Sequence, residues 1–366
     1  MRILILNWKD PADVDAGGAE KYVQRIAELW AQQGHEVTLL VPCRGKVARE
    51  EQGGVTYIRA GNRYTVFRQA TAHLRRYGSR YDRVVESIST LPFFSHRIVG
   101  ERSIALYLQM AKDVWDLEYR FPVGWIGRHI LEPRWARRMV GARVVAISKS
   151  TAADLADHGI TVTDIVPPGS DGAVPLSPNR RLSSRPRLLF MGRLVRHKRP
   201  IDAVEAFLQI QEAFPGARID LIGDGYLRPE IEKRQTPAVV AHGFVAEAVK
   251  RSLLEQADLM LLPATREGWG IVAVEAAAHG LPVVAYDVPG LRDSVVDGGT
   301  GVLCSPTPAA MAAAACALLG DAERWRALSQ AGPEWARRFS WEQTANGLMD
   351  VLSRPVPSDG RVAGSG

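Results

Sequence analysis

The sequence predicts an α/β protein built from two doubly wound domains that face each other across an interdomain cleft. Three observations carry this expectation. Short apolar runs alternate with helical patterns along nearly the whole chain, the pattern restarts near residue 187 after a proline- and serine-rich segment, and 366 residues is about twice a typical domain. Apolar residues make up 46% and charged residues 23%, a globular composition. The cysteines, Cys43, Cys304 and Cys316, are too few and too scattered for a disulfide framework or a cysteine zinc site, so a reducing, cytoplasmic setting is expected. No run approaches the roughly 18 uncharged apolar residues that a membrane span needs. Arg2–Asn7 soon meets Trp8, Lys9 and Asp10 and lacks a cleavage signature, so it reads as a buried strand rather than a signal peptide. Structural proteins, secreted miniproteins and integral transporters are thereby disfavoured.

In chain order, strand Arg2–Asn7 leads to a loop with Gly17-Gly18, a helix from Ala19 to Gln33 closed by Gly34, and strand Glu36–Val41. Further strands are expected at Val55–Arg59, Arg83–Ser87, Ile104–Met110, Val144–Ile147 and Thr163–Val166, with helices at Phe67–Tyr77 and Thr151–Asp157. Segment 111–143, rich in Trp, Arg and Gly, fits no simple period and should mix short helices with loops. Val166–Pro186, with Pro167-Pro168-Gly169, Pro175, Pro178 and Pro186, is the candidate linker, dividing residues 1–178 from 179–340. Beyond it come strand Arg187–Met191, helix Pro200–Ala213, strand Arg218–Ile222, a helix near 226–234, strand Val239–Ala241 and helix 247–256. Strand Leu259–Leu262, helix Ile271–His279, strand Val283–Ala285, helices 309–318 and 321–338, and helix Trp341–Leu352 follow. Ser353–Gly366, poor in large apolar groups, is expected to be a disordered tail.

Charge is uneven. Lys and Arg total 46 against 40 acids, a net +6; residues 1–178 hold 24 bases and 19 acids. Residues 59–83 carry seven arginines against Asp82 alone, and residues 120–149 carry seven bases against Glu132 alone. Such clusters suit an anionic membrane surface or an anionic acceptor, and equally a solvated arginine-rich face. No recognition motif or basic tail supports nucleic-acid binding.

Two clusters in the second half point to chemistry. In Thr265-Arg266-Glu267-Gly268-Trp269-Gly270-Ile271-Val272-Ala273-Val274-Glu275, a glycine-flanked loop enters an almost wholly apolar helix that nonetheless contains Glu275. An unpartnered carboxylate there would cost several kcal/mol, so Glu275 needs a donor: a ribose hydroxyl pair facing a cleft, or an arginine of its own domain. Gly268 and Gly270 let backbone approach a ligand, and the N–H groups at the start of the helix, near Ile271, can bind sugar or phosphate oxygens. Glu267 can grip sugar hydroxyls. The second cluster, Gly192-Arg193-Leu194 and His197-Lys198-Arg199, lies between a strand end and a helix start. There Arg193 and Lys198 can neutralise a diphosphate. Gly17-Gly18 lacks GxGxxG spacing but can hold backbone close to a phosphate or sugar across the cleft.

These phrases resemble retaining glycosyltransferases of family 4, which have the GT-B architecture of two facing Rossmann-like domains. The resemblance spans nearly the whole chain: Gly17-Gly18-Ala19-Glu20, Gly34-His35-Glu36-Val37-Thr38, Ala146–Ser150 and Val166-Pro167-Pro168-Gly169 in the first half. In the second half it runs through Phe190–Leu194 with Lys198, Leu221–Gly225, His242–Val245, Glu267 to Glu275, Gly280–Val284 and Gly298–Leu303. It implies a nucleotide-diphosphate sugar as donor substrate, with Arg193 and Lys198 on its diphosphate, Glu275 on ribose, and Glu267 with the backbone of Gly268, Trp269, Gly270 and Ile271 on the transferred sugar. Gly17 and Gly18 would approach the donor from the acceptor side. The resemblance implies no cofactor and no metal, in keeping with the lack of an Asp-x-Asp pair at a plausible strand end, and a last helix crossing back to the first domain. The acceptor would be a hydroxyl of a glycan, a lipid-linked or a small molecule, met in the cytoplasm or at the inner membrane face.

One departure stands out. Aligned on Trp115, two histidines of many relatives fall on Leu108 and Ala111, where only Gln109 and Lys112 offer polar atoms nearby. A catalytically weak or inactive scaffold subunit therefore remains open beside the transferase, as do a nucleotide-sugar epimerase and a sugar phosphorylase, which share the architecture.

Overall fold

The computed structural model describes residues 1–13, 16–43, 48–175 and 180–355. Two sheets organise it. The first contains β1 (Arg2–Leu6), β2 (Glu36–Val41), β3 (Ala48–Gln52), β4 (Val55–Arg59), β5 (Arg83–Ile88), β6 (Ser103–Tyr107), β7 (Val144–Ala146) and β8 (Val162–Ile165), in spatial order β3-β4-β2-β1-β5-β6-β7-β8. The second contains β9 (Arg187–Met191), β10 (Arg218–Ile222), β11 (Val239–Gly243), β12 (Leu259–Leu262), β13 (Val283–Tyr286) and β14 (Gly301–Cys304), in order β11-β10-β9-β12-β13-β14. Every pairing is parallel except β3 with β4. Parallel strands covered by helices on both faces must be apolar throughout, which is why Ile3–Leu6 and Leu259–Leu262 are continuous buried runs.

The expected strands and long helices form within one or two residues of their expected bounds, apart from β6, which ends at Tyr107 rather than Met110, and the helix expected near 226–234, which shortens to Arg228–Glu232. Several elements have no counterpart in the sequence reading, among them β3, β14 and the one-turn helices His96–Val99 and Leu291–Ser294. β3, Ala-Arg-Glu-Glu-Gln, is exposed at every position, so no apolar alternation marks it; it exists because the β4 edge offers it backbone partners. The short helix Leu291–Ser294 is only one turn long. Segment 111–143 resolves into short helices at Val114–Glu118 and Val123–Ile126, a π-helical turn at Gly127–Leu131, and helix Glu132–Arg137. Part of the candidate linker, residues 176–179, and residues 356–366 of the expected tail lie outside the described residues.

Each sheet reverses its winding at one crevice. In the first it lies between β1 and β5; in the second it lies between β9 and β12. β9 and β12 are direct neighbours, so the loops that follow them are brought side by side.

The last helix, Trp341–Ser353, packs on helix Gly18–Gln32 of the first domain. Trp30 donates its indole N–H to the Ala345 carbonyl at 3.0 Å, Trp341 meets Tyr22 edge to face at 6.1 Å, and Arg83 donates to the Leu352 carbonyl at 2.6 Å. Trp341 also abuts Gly169, where a Cβ would collide with the backbone at residues 340 and 341. Trp341→Ala should destabilise the chain by about 3–5 kcal/mol through loss of this buried ring, measured as a lower denaturation midpoint with an unchanged slope.

Candidate functional site

The loop after β9 carries Arg193 and Lys198. A turn of 3-10 helix covers Arg196–Lys198, and Arg199, in the left-handed region at φ 49°, turns the chain into helix Pro200–Ala213. The loop is braced from below, because Gly223 and Gly225 come so close to Gly192 and Leu194 that a Cβ at either would strike backbone. The loop after β12 carries Thr265–Gly270 and enters helix Ile271–Ala278 through Gly270, at φ 89°. Thr265 N–H donates to the His197 carbonyl at 2.8 Å, and Arg199 donates to the Thr265 hydroxyl at 2.9 Å. The two loops thus form one ledge.

On that ledge Lys198 and Glu267 make a direct ion pair, both side chains mostly buried. Arg193, exposed, reaches the His197 ring at 3.4 Å. Gly268 and Gly290 are steric necessities: a Cβ on Gly268 would strike the Leu108 carbonyl, and one on Gly290 the Glu267 carbonyl. Trp269 turns its ring into the core, against Phe339 at 5.2 Å, so its side chain serves packing.

Glu275 stands one turn further along the helix, on the same side as Ile271, and does not contact the Lys198–Glu267 pair. Its carboxylate has a donor partner, as its burial demands, but the donors are lysines rather than an arginine. Lys21 of the first domain donates at 3.0 Å and Lys250 lies at 3.6 Å. Lys21 also donates to Asp171 at 2.8 Å. Burial would lower the Lys21 ammonium, yet the two carboxylates more than offset it and hold its pKa above the ordinary lysine value. Glu275 opens onto a cavity of about 550 Å3 bounded by Ser170–Gly172, Glu247, Lys250 and Arg251.

The glycine pair sits where the domains touch. Glu20 accepts the Gly17 N–H at 2.8 Å, fixing the loop, and Gly18 lies against the Ile271 side chain. Leu108 and Ala111 are buried and apolar. Leu108 offers only its carbonyl to Gly268, and the Ala111 N–H donates to Glu132 at 2.6 Å. The Lys112 ammonium is engaged by Asp154 at 2.5 Å and Asp157 at 3.1 Å, so it is held by aspartates at this site. Gln109 lines a small void beside Thr90 and Glu132.

Two interdomain clasps went unread in the sequence. Asp154 pairs with buried Arg266, the residue before Glu267. Glu118 accepts from the His197 ring at 2.6 Å, the His197 N–H at 3.0 Å and the Tyr226 hydroxyl at 2.6 Å. The partners are separated by 79 to 112 residues, and no local pattern announces them.

The arrangement of two facing sheets with charged loops at their switch points defines a class, the GT-B glycosyltransferases. The described chain superposes on sucrose-phosphate synthase from Thermosynechococcus elongatus with a TM-score of 0.75 at 20% identity, covering 96% of this chain and 98% of that one. It superposes on Anabaena HepE in complex with UDP-glucose at 0.72 and 18% identity, covering 96% and 99%. The family model for Glycosyltransferase Family 4 matches residues 16–174 and that for Glycosyl transferases group 1 matches residues 185–321. A glycogen synthase of Mycobacterium tuberculosis is 28% identical over 96% of this chain and 94% of its own length. The chain belongs to the family 4 glycosyltransferases.

Burial alone would raise the Glu118 carboxyl, but the hydrogen bonds from His197 and Tyr226 bring it down to about 2. A depressed carboxyl stabilises the folded, clasped state above its unfolded value, and that contribution fades as pH falls from about 4.5 to about 2. Glu118→Ala should therefore lower stability at pH 7 by about 1–3 kcal/mol, because it leaves buried His197 without its acceptor. In denaturation measured as a function of pH, the gap from wild type should narrow across that acid window.

Proposed function

We propose that the protein is a retaining, metal-independent transferase that moves a hexosyl or related sugar from a nucleotide-diphosphate sugar to a hydroxyl of a cell-envelope glycan, lipid-linked or natural-product acceptor. The observation that carries this reading is the single ledge on which Arg193, Lys198 and Glu267 lie at the switch point of the second sheet, with Glu275 one turn above on an adjoining cavity. The UDP-glucose complex of HepE, which shares the fold, supports a nucleotide sugar as donor.

The chemistry follows from where charge develops. The glycosidic carbon–oxygen bond to the diphosphate breaks as the acceptor oxygen arrives on the same face, so the anomeric configuration is kept. Negative charge grows on the departing phosphate oxygens, where Arg193 supplies a planar fork and Lys198 a point charge. The leaving phosphate itself takes the acceptor proton. Lys198 exchanges its bond to Glu267 for the diphosphate, which frees Glu267 to accept from sugar hydroxyls. Glu275 accepts from the ribose hydroxyl pair, exchanging partners with Lys21 or Lys250. The clasps Asp154–Arg266 and Glu118–His197 hold the cleft shut and exclude water, which limits hydrolysis of the donor.

Arg193→Ala should lower kcat by about 100- to 1000-fold, the effect of removing one donor to developing charge. Glu275→Ala should weaken donor affinity by about 10- to 100-fold, the range for a lost hydrogen bond to a charged group. Thermal shift and calorimetry across nucleotide diphosphates and nucleotide sugars read the second effect, and equal affinity in wild type and variant would remove the ribose role. Turnover unchanged by EDTA and an α-product from an α-donor, seen by NMR, are expected; loss of activity on chelation, or inversion, would overturn those parts of the reading.

Leu108 and Ala111, buried and apolar, favour a second reading, that of a non-catalytic partner subunit. Failure of every nucleotide sugar to bind would support it. Free sugar released or isomerised without acceptor would instead mark an epimerase.

A further inference from the structure

The first domain carries a surface that neither the cleft nor the core uses. Immediately after Glu118, the chain turns outward and exposes large apolar side chains in close succession: Tyr119 at 51%, Phe121 at 83%, Val123 at 54% and Trp125 at 48%. Ile126 and Val140 are exposed as well. Water around so many large apolar groups is unfavourable, and a run of this kind marks a contact surface rather than scattered exposure.

Charge accompanies the run. From Val123 to Arg137 the backbone is one continuous helical path through the π-helical turn. Val123, Ile126, Ile130, Arg134 and Arg137 recur at spacings of three and four residues, so an apolar end passes into a basic end along one stripe. Arg120, Arg134, Arg137 and Arg138 are exposed, and among the described residues none of the four has a carboxylate partner. Glu132, the one acid between residues 119 and 140, is buried and accepts the Ala111 and Lys112 N–H groups, so it subtracts nothing from the outer face. Arg128 is different: Asp113 and Asp116 neutralise it.

We propose that this aromatic and arginine-bearing ridge, residues 119–140, docks the protein on an anionic lipid bilayer. Phe121 and Trp125 enter the headgroup–acyl boundary while Arg120, Arg134, Arg137 and Arg138 meet lipid phosphates, the division of labour of an interfacial amphipathic helix. A protein groove would satisfy the apolar groups without calling for four unpaired arginines beside them; the charge complementarity selects the anionic surface. The ridge begins one residue beyond the Glu118–His197 clasp, so the bound protein holds the mouth of its cleft near the lipid surface. The inference stands on this surface alone and holds whatever sugar is transferred.

Cosedimentation with vesicles of phosphatidylcholine containing about 30% phosphatidylglycerol, against pure phosphatidylcholine, tests it with the full chain and no donor. Partitioning at least tenfold stronger on the anionic vesicles is expected, falling steeply as salt rises. Phe121→Ser with Trp125→Ser should reduce it tenfold or more, and so should Arg134→Gln with Arg137→Gln and Arg138→Gln, while melting temperatures stay close to wild type. The second set keeps the aromatic groups, so it separates lost charge from any change in folding. Equal binding to both vesicle types, no binding, or binding untouched by either set would overturn the proposal. A wild-type dimer in sedimentation equilibrium that Phe121→Ser with Trp125→Ser converts to monomer would also overturn it, by assigning the ridge to a second copy of the chain.

Discussion

The contact between Gly268 and the Leu108 carbonyl is the constraint on which the cleft depends. At this point the two domains meet backbone on backbone, with no room for a β-carbon. That approach brings the loop after β12 to the end of β6, and everything charged in the cleft is arranged around it. Arg266, two residues earlier, reaches Asp154, and Glu267, one residue earlier, turns to Lys198. Gly18 against Ile271 makes a second close contact at the other side of the same helix start. A side chain at Gly268 would push the sheets apart and strain both the Asp154–Arg266 pair and the Gly18–Ile271 contact.

The carboxylates that line the cleft are paired with cations. Glu267 is neutralised by Lys198, and Glu275 by Lys21 and Lys250. Two of these three lysines sit within the second domain, while Lys21 comes from the first, so closure itself supplies part of the counter-charge. Buried ion pairs gain little over solvated charges, but losing one partner is costly. In the proposed function a nucleotide sugar exchanges partners with these same carboxylates and cations. The Glu118 clasp adds a third connection, tying the turn that bears Lys198 to the first domain through His197.

Much of the fold was legible because both sheets are parallel. Strands buried on two faces write continuous apolar runs, and Ile3–Leu6, Leu188–Met191 and Leu259–Leu262 could be read directly. β3 could not, because its five exposed residues take their conformation from β4 and not from any pattern of their own. In the site, the need of Glu275 for a donor was legible from an acid set among alanines and valines. Its donors were not, since Lys21 lies 254 residues away. For Trp269 the sequence reading concerned the backbone alone, and only the structure shows that its ring fills the core against Phe339.

The chain by itself determined where strands and helices alternate, that the alternation begins twice, and which residue types stand at the strand ends. Those features depend on side-chain periodicity and on local backbone freedom, both of which act over a few residues. Only the tertiary structure decided which cation meets which carboxylate. The pairs Lys21–Glu275, Asp154–Arg266 and Glu118–His197 join the two domains, and their distances arise from how two whole sheets are set against each other. Electrostatic partnership is a property of separation in space, and separation along the sequence carries no record of it.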